Sequence, residues 1–461
     1  MSAPLSQASR RAFMQRAAQL SLTGLASPWA LHLLAMSEAA AQSANDYKAL
    51  VCVFLYGGND HINTLPPFDA ATHAEYLRVR TSMATARDAL TATALVPREP
   101  LPGGRQLALA PELAPLKPLF DSQQLGVLLN VGTLMRPTTK AQYNAASVPL
   151  PPKLFSHNDQ QSVWQSSLPE GSISGWGGRL GDLFMASNER ASFTCVNVSG
   201  NAVYMSGRQA VQYQVSSNGS VPLRGVRQAL FGSSVAQNAM LKLVTAPHSH
   251  LMRAEYTRVM SRAIEANDTL SAAMAAAPVL NTAFDTSSSL AMQLRMVARL
   301  ISVRQALGVK RQVFFVSLGG FDLHDFLVAQ HPGLLAQLAS ALRSFHDATT
   351  EMGVSQQVTA FTASDFGRTF SSNGDGSDHG WGSHHFVLGG AVAGGRFHGR
   401  NPELALNGPD DVGQGRLLPT TAVDQLAATL ARWMGVSDSD LPLVAPNIGE
   451  YSQRDLGLFR V

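Results

Sequence analysis

The 461-residue chain is short of charge, of cysteine and of long apolar runs. Asp, Glu, Lys and Arg make up only 15% of it and nearly cancel, to a net +3. The basic residues are scattered, and the densest group is Arg10-Arg11. This excludes a nucleic-acid partner, because phosphate binding needs Lys and Arg gathered on one face. Two cysteines, Cys52 and Cys195, are too few for a disulfide framework and lack metal-ligand spacing. Both lie in apolar, strand-like runs and read as buried free thiols. No internal repeat occurs, so a solenoid or propeller is excluded. Beyond residue 41 no stretch is long and apolar enough to span a bilayer.

What is present starts with a leader over residues 1–41. It holds Arg10-Arg11 with Phe13, an apolar stretch from about Ala17 to Met36, and the small-residue site Ala39-Ala40-Ala41. The pattern predicts a twin-arginine (Tat) export signal, cleavage near Gln42 and a periplasmic or otherwise exported protein. Ser21, Thr23, Ser27 and Pro28 interrupt the apolar stretch, which argues against a permanent anchor. Tat export carries folded proteins, which suits a metal site assembled before export.

Residues 42–461 contain enough apolar sequence for one large domain. The run YKALVCVFLYGGND (47–60) is continuously apolar and ends in two glycines and an aspartate, as a buried parallel strand does. KRQVFFVSLGGFDLH (310–324) and QQVTAFTASDFGRT (356–369) repeat the pattern, and 125–134 and 191–200 are further strand candidates. Helical periodicity marks 110–123, 289–307, 332–352 and 421–435. The alternation predicts an α/β fold, a mainly parallel central sheet with helices on both faces. Residues 207–282, rich in Ala, Ser, Met and Gln, read as a helical insertion beside the sheet.

In such sheets chemistry gathers beyond the carboxyl ends of strands. Three strand ends supply Asp60, Asp322 with His324, and Asp365. The glycine-rich stretch TASDFGRTFSSNGDGSDHGWGSHHF (362–386) adds Asp378, His379, His384 and His385. Each aspartate alone is equally a helix cap or turn former. Together they predict a loop that binds a divalent metal, Zn²⁺ first, with Mn, Fe or Ca as alternatives and one or two ions held. Ser156, in FSHNDQQSVW, stands at a helix start and is either a plain N-cap or a nucleophile. His157 and Asn158 beside it are placed to polarise a substrate oxygen. Arg368 either contacts an anionic substrate group or braces Asp365.

The export signal, GGND, SHNDQQ, GGFDLH and DFGRT…SDHGWG together resemble the DUF1501 family of exported bacterial proteins, over about residues 47–435. That family is similar to the alkaline phosphatase/sulfatase superfamily of metal-dependent hydrolases. The resemblance implies metal ligands at Asp60, Asp322, His324, Asp365, His379 and His384 or His385, with His331 as a substitute. It also implies a nucleophile at Ser156, which lies 13 residues before Pro169 with Gly171 following. Two departures stand out. Phe366 occupies a position where the superfamily has histidine, and no cysteine is available for the modified nucleophile of a standard sulfatase. The implied function is hydrolysis of a small-molecule or polymer phosphate or sulfate ester. The alternative is a non-catalytic, metal-containing protein that binds a ligand or partner of the cell envelope. No stable membrane span is expected after cleavage.

Overall fold

The computed structural model describes residues 46–460, so the expected leader lies outside the described residues. Among them, ten strands form one sheet in the order β10-β2-β8-β7-β1-β6-β3-β4-β5, with β9 also paired to β2. The centre is β1 (Lys48–Leu55), flanked in parallel by β6 (Arg311–Leu318) and β7 (Val358–Ser364). Strand β3 (Cys195–Asn197) continues the parallel set beyond β6, and β4 (Tyr213–Ser216) pairs with β3. On the other side, β8 (Ser383–Leu388) runs antiparallel to both β7 and β2 (Leu125–Gly132). The short strands are β5 (Gly219–Ser220), β9 (Phe397–His398) and β10 (Thr421–Ala422).

Alternate residues of β1 enter two separate cores, as a strand covered on both faces requires. Ala49, Val51, Val53 and Leu55 face one core. Leu50, Cys52 and Phe54 face the other. Each fully buried Leu, Val or Phe contributes about 1.5–3 kcal/mol, so the doubly covered sheet is the rigid frame of the molecule.

The helices that matter to the site and its surroundings are α1 (His61–Thr64), α2 (Ala70–Arg80) and α3 (His157–Ser166). Helix α4 (Trp176–Phe184) and helix α9 (Val423–Met434) close the second core. The insertion supplies α5 (Ser234–Thr245) and α6 (Leu251–Ala275). Helices α7 (Ser289–Ser302) and α8 (Leu327–Glu351) close the first core. Residues 207–282 are not helical throughout: they also supply β4 and β5 at the edge of the sheet, against which α6 lies, with the Ser220 and Ser271 hydroxyls 3.2 Å apart.

Two local expectations are corrected. The segment 110–123 is not one α-helix: Pro111–Leu116 forms a 3₁₀ turn and only Lys117–Asp121 is α-helical. Pro115 and Pro118 remove the amide donors that a continuous helix needs. The SHHFVL run is not part of a loop but strand β8, paired on both sides. Both cysteines are free and buried.

Candidate metal centre

The carboxyl ends of β1, β6 and β7 meet because two backbones pass in near contact. Gly57 follows β1 at φ 115°, and a Cβ there would lie 2.3 Å from the Asp322 amide nitrogen. Glycine meets both demands, the positive φ and the absent side chain. The Gly57 amide also donates to Asp365 Oδ2 at 3.2 Å, tying the end of β1 to that of β7.

Asp322 is the hub. Its Oδ1 lies 3.1 Å from His324 Nε2 and 3.3 Å from His379 Nε2, and its Oδ2 lies 3.4 Å from His157 Nε2. His324 Nε2 and His379 Nε2 are themselves 2.9 Å apart. The ligand atoms of His157, Asp322 and His379 all fall within 4.8 Å of one another. Bonds of about 2.0–2.1 Å at tetrahedral angles place donor atoms roughly 3.3 Å apart, which matches this spacing.

The tautomers follow from the outer contacts. His379 Nδ1 lies 2.6 Å from the Phe155 carbonyl, His157 Nδ1 lies 2.7 Å from Asp365 Oδ2, and His324 Nδ1 lies 3.1 Å from Asp378 Oδ1. All three oxygens only accept, so each imidazole commits its Nδ1 proton outward. Each Nε2 is left with a lone pair aimed at the same carboxylate. Lone pairs and a carboxylate held this close repel unless a cation or extra protons lie between them. His157 Nε2 is buried and lacks any hydrogen-bond partner. The residues therefore fit a divalent metal, with an oxygen or carbonyl orienting each ligating imidazole from behind.

The electrostatics agree. Burial alone would raise the Asp322 pKa, but Arg368, His157 and His324 together hold it below the ordinary carboxylate value. The hydrogen bond from His157 to Asp365 raises the His157 pKa against the effect of burial. Burial lowers that of His379. The His157, His324 and His379 side chains retain 27%, 41% and 23% exposure, so the centre opens to solvent on one side.

Of the residues singled out in the sequence, Asp322, His324 and His379 converge. His157 joins Asp322 and His379 in the group whose ligand atoms lie within 4.8 Å of one another, and its Nε2 faces Asp322; His324 stands beside that group, against Asp322 Oδ1 and His379 Nε2. Asp365 is set back. Its Oδ2 receives His157 Nδ1 and Gln161 Nε2, at 2.7 and 2.8 Å, while its buried Oδ1 has no partner.

The remaining residues lie elsewhere. Asp60 is taken by Arg80, whose two terminal nitrogens contact its two oxygens at 2.8 Å, both side chains being buried. His384 and His385 point into the sheet and its core. His384 Nδ1 accepts the Asn130 amide at 3.0 Å, the His385 ring meets Trp164 edge-on, and burial depresses each pKa to about 3. His331 is buried against Asn59. Arg368 is fully buried, donates to Asp322 Oδ1 at 2.8 Å and to the Gly57 and Ser377 carbonyls, and so braces Asp322 rather than Asp365 or a substrate. Phe366 packs under the His157 and His379 rings, at 4.9 and 4.6 Å between centroids.

Ser156 is the N-cap of α3, but its hydroxyl caps no backbone amide. It donates instead to Asp159 Oδ2 at 2.9 Å. Its chain neighbours are Phe155, whose carbonyl meets His379 Nδ1, and His157, whose Nε2 faces Asp322. One residue and one pairing escaped the sequence reading. Gln161 stands one turn after His157 on α3, a spacing that puts both on one face. Arg80 lies far from Asp60 along the chain, and no local pattern links them.

Residues 47–445 match the family described as "Protein of unknown function (DUF1501)". The chain belongs to the DUF1501 family. Solved structures similar to this DUF1501 chain include Ps i-CgsB in complex with k-i-k-neocarrahexaose, at 10% identity over 89% of this chain and 77% of that one, TM-score 0.35. The lipoteichoic acid synthase LtaP from Listeria monocytogenes is 9% identical over 90% and 81%, TM-score 0.34. The PsFucS1 sulfatase from Pseudoalteromonas sp. is 9% identical over 93% and 77%, TM-score 0.35. No protein of curated function matches by sequence. At such scores the chemistry rests on the side chains described above. Among the described residues, no helix is long and apolar enough to cross a membrane.

Proposed function

We propose that this DUF1501 chain is an exported, metal-dependent hydrolase of phosphate or sulfate esters, with Ser156 as nucleophile. One observation carries the reading: three imidazole Nε2 atoms, each with its Nδ1 proton committed elsewhere, converge on the Asp322 carboxylate. His157, Asp322, His324 and His379 would hold a divalent cation, Zn²⁺ best suited by the nitrogen-rich donor set. Such a cation supplies Lewis-acid polarisation of an ester oxygen.

The chain's own residues do the rest. Asp365, the Phe155 carbonyl and Asp378 orient the three imidazoles. Arg368 fixes Asp322 and balances its charge. Ser156 Oγ attacks phosphorus or sulfur while its proton passes to Asp159. The ester's alcohol leaves with a proton from solvent; water then releases the acid, giving one proton back to Ser156 Oγ, and Asp159 returns its proton to solvent. The helix α3 N-terminus favours the negative charge that develops there. The unpartnered Asp365 Oδ1 would offer an oxygen to a second ion. Export before cleavage near Gln42 remains part of this proposal, as does the ester class, small or polymeric.

A non-catalytic, metal-containing envelope protein is the second reading. It is favoured by Phe366, which fills with an apolar ring the space beside two of the imidazoles. The test is turnover of p-nitrophenyl phosphate, bis(p-nitrophenyl) phosphate and p-nitrophenyl sulfate by the wild type and by Ser156→Ala. Turnover by the wild type and its loss in a folded, metallated variant supports the hydrolase. Full turnover in the variant removes Ser156 from the mechanism. Bound metal with no turnover in the wild type favours the second reading.

A further inference from the structure

The insertion exposes a surface unlike the rest of the molecule. Helices α5 and α6 pack as a hairpin whose inner seam holds Val244, Ile264, Met240, Leu241 and Met260. The apolar side chains at its free end do not join that seam. Leu251 and Met252 are 79% and 72% exposed, and Leu243, Tyr256 and Val259 are exposed beside them. An apolar group of this kind, rimmed by polar residues, marks an interaction surface.

Its charge points to the partner. Helices α5 and α6 hold four Lys or Arg against three Asp or Glu, and of the acids Asp268 is paired with Arg227 outside the hairpin. Lys242 adjoins Leu243 on α5, Arg253 adjoins Met252 on α6, Arg258 adjoins Val259, Arg262 follows one turn later, and all four are exposed. Glu255, also exposed, pairs with Arg258 and lies 3.8 Å from Arg262. Lys242 and Arg253 have no ion-pair partner among the described residues. Apolar side chains flanked by basic ones suit the interface of an anionic bilayer, where the first enter the acyl boundary and the second meet phosphate. We propose that the α5–α6 hairpin end docks on anionic phospholipid, holding the protein peripherally at a membrane surface. The proposal stands apart from the metal centre, which lies at the carboxyl ends of β1, β6 and β7.

The experiment is flotation of the full chain with vesicles of phosphatidylcholine alone and of phosphatidylcholine with one quarter phosphatidylglycerol. Binding is expected to the mixed vesicles only. Lys242→Gln/Arg253→Gln should weaken it about 30-fold, at roughly five-fold per basic residue near an anionic surface. Leu251→Ser/Met252→Ser should abolish it. These residues are exposed, so circular dichroism should show both variants folded. Equal binding to both vesicle types overturns the proposal. So does undiminished binding by both variants, which would assign it to the apolar leader. Absence of binding overturns it as well. A dimer in sedimentation velocity that both variants dissociate would assign the surface to a second copy and also overturn it.

Discussion

Replacing Asp60 by asparagine leaves the Arg80 guanidinium buried beside a neutral amide. The pair is bidentate at 2.8 Å, and its side chains are 0% and 1% exposed. Arg80 keeps one further bond, to the Thr369 carbonyl at 2.9 Å. Removing one partner of a buried pair costs about 3–5 kcal/mol, because the remaining charge loses compensation. Unfolding entropy of about 2.1 cal/mol/K per residue makes 1 kcal/mol worth roughly 1 °C in a chain of this length, so Tm should fall by about 3–5 °C. The assay is thermal unfolding followed by circular dichroism, with and without EDTA, together with metal analysis. If Asp60 is structural, the loss persists in EDTA and metal content is unchanged. Asp60→Leu/Arg80→Met should recover most of the loss, since an apolar pair of similar volume avoids desolvating two charges. An Asp60→Asn protein that loses metal, and that matches the wild type once both are treated with EDTA, would refute the reasoning and make Asp60 a ligand.

Four further outcomes follow from the same geometry. Asp365→Ala removes the acceptor that orients His157 and should weaken metal binding about 10–100-fold, read by competition with a chromophoric chelator, without unfolding the protein. Metal uptake should release a proton and strengthen as pH rises. The Asp365 bond raises the His157 pKa above its ordinary 6.5, and that proton must leave before Nε2 can ligate. In metal-free protein the same raised pKa contributes stability that is full below about pH 6.5 and fades as pH rises through the folded value. A metal affinity flat between pH 6 and 8 would contradict this. Gly57→Ala forces a Cβ to within 2.3 Å of the Asp322 amide at a positive φ, and should displace Asp322 and cost metal binding.

The central sheet was legible because its strands are fully buried and therefore continuously apolar, with β1, β6 and β7 each ending in a polar turn. The direction of β8 was not, because Ser-His-His hides a strand entry behind residues that read equally well as ligands. At the centre, the D-x-H of Asp322 and His324 and the isolated His379 were legible as ligand types at strand ends and in a glycine-rich loop. The role of His157 was not, since a histidine at a helix start says nothing of which strand end faces it. Asp60 shows the limit most plainly. An aspartate after a strand is placed for metal binding by topology, and only the fold reveals an arginine 20 residues on that occupies both its oxygens. Arg368 is a similar case: the sequence offered a substrate contact or a brace for Asp365, and its guanidinium instead braces Asp322.

The most direct measurement of the central claim is metal content by inductively coupled plasma mass spectrometry, on protein purified without chelator or an affinity metal. The wild type should carry at least one equivalent of a divalent metal, while Asp322→Ala and His379→Ala carry far less and Asp60→Asn carries the wild-type amount. A folded wild type that neither contains nor takes up a divalent metal, or an Asp322→Ala protein that keeps the full complement, would contradict the account.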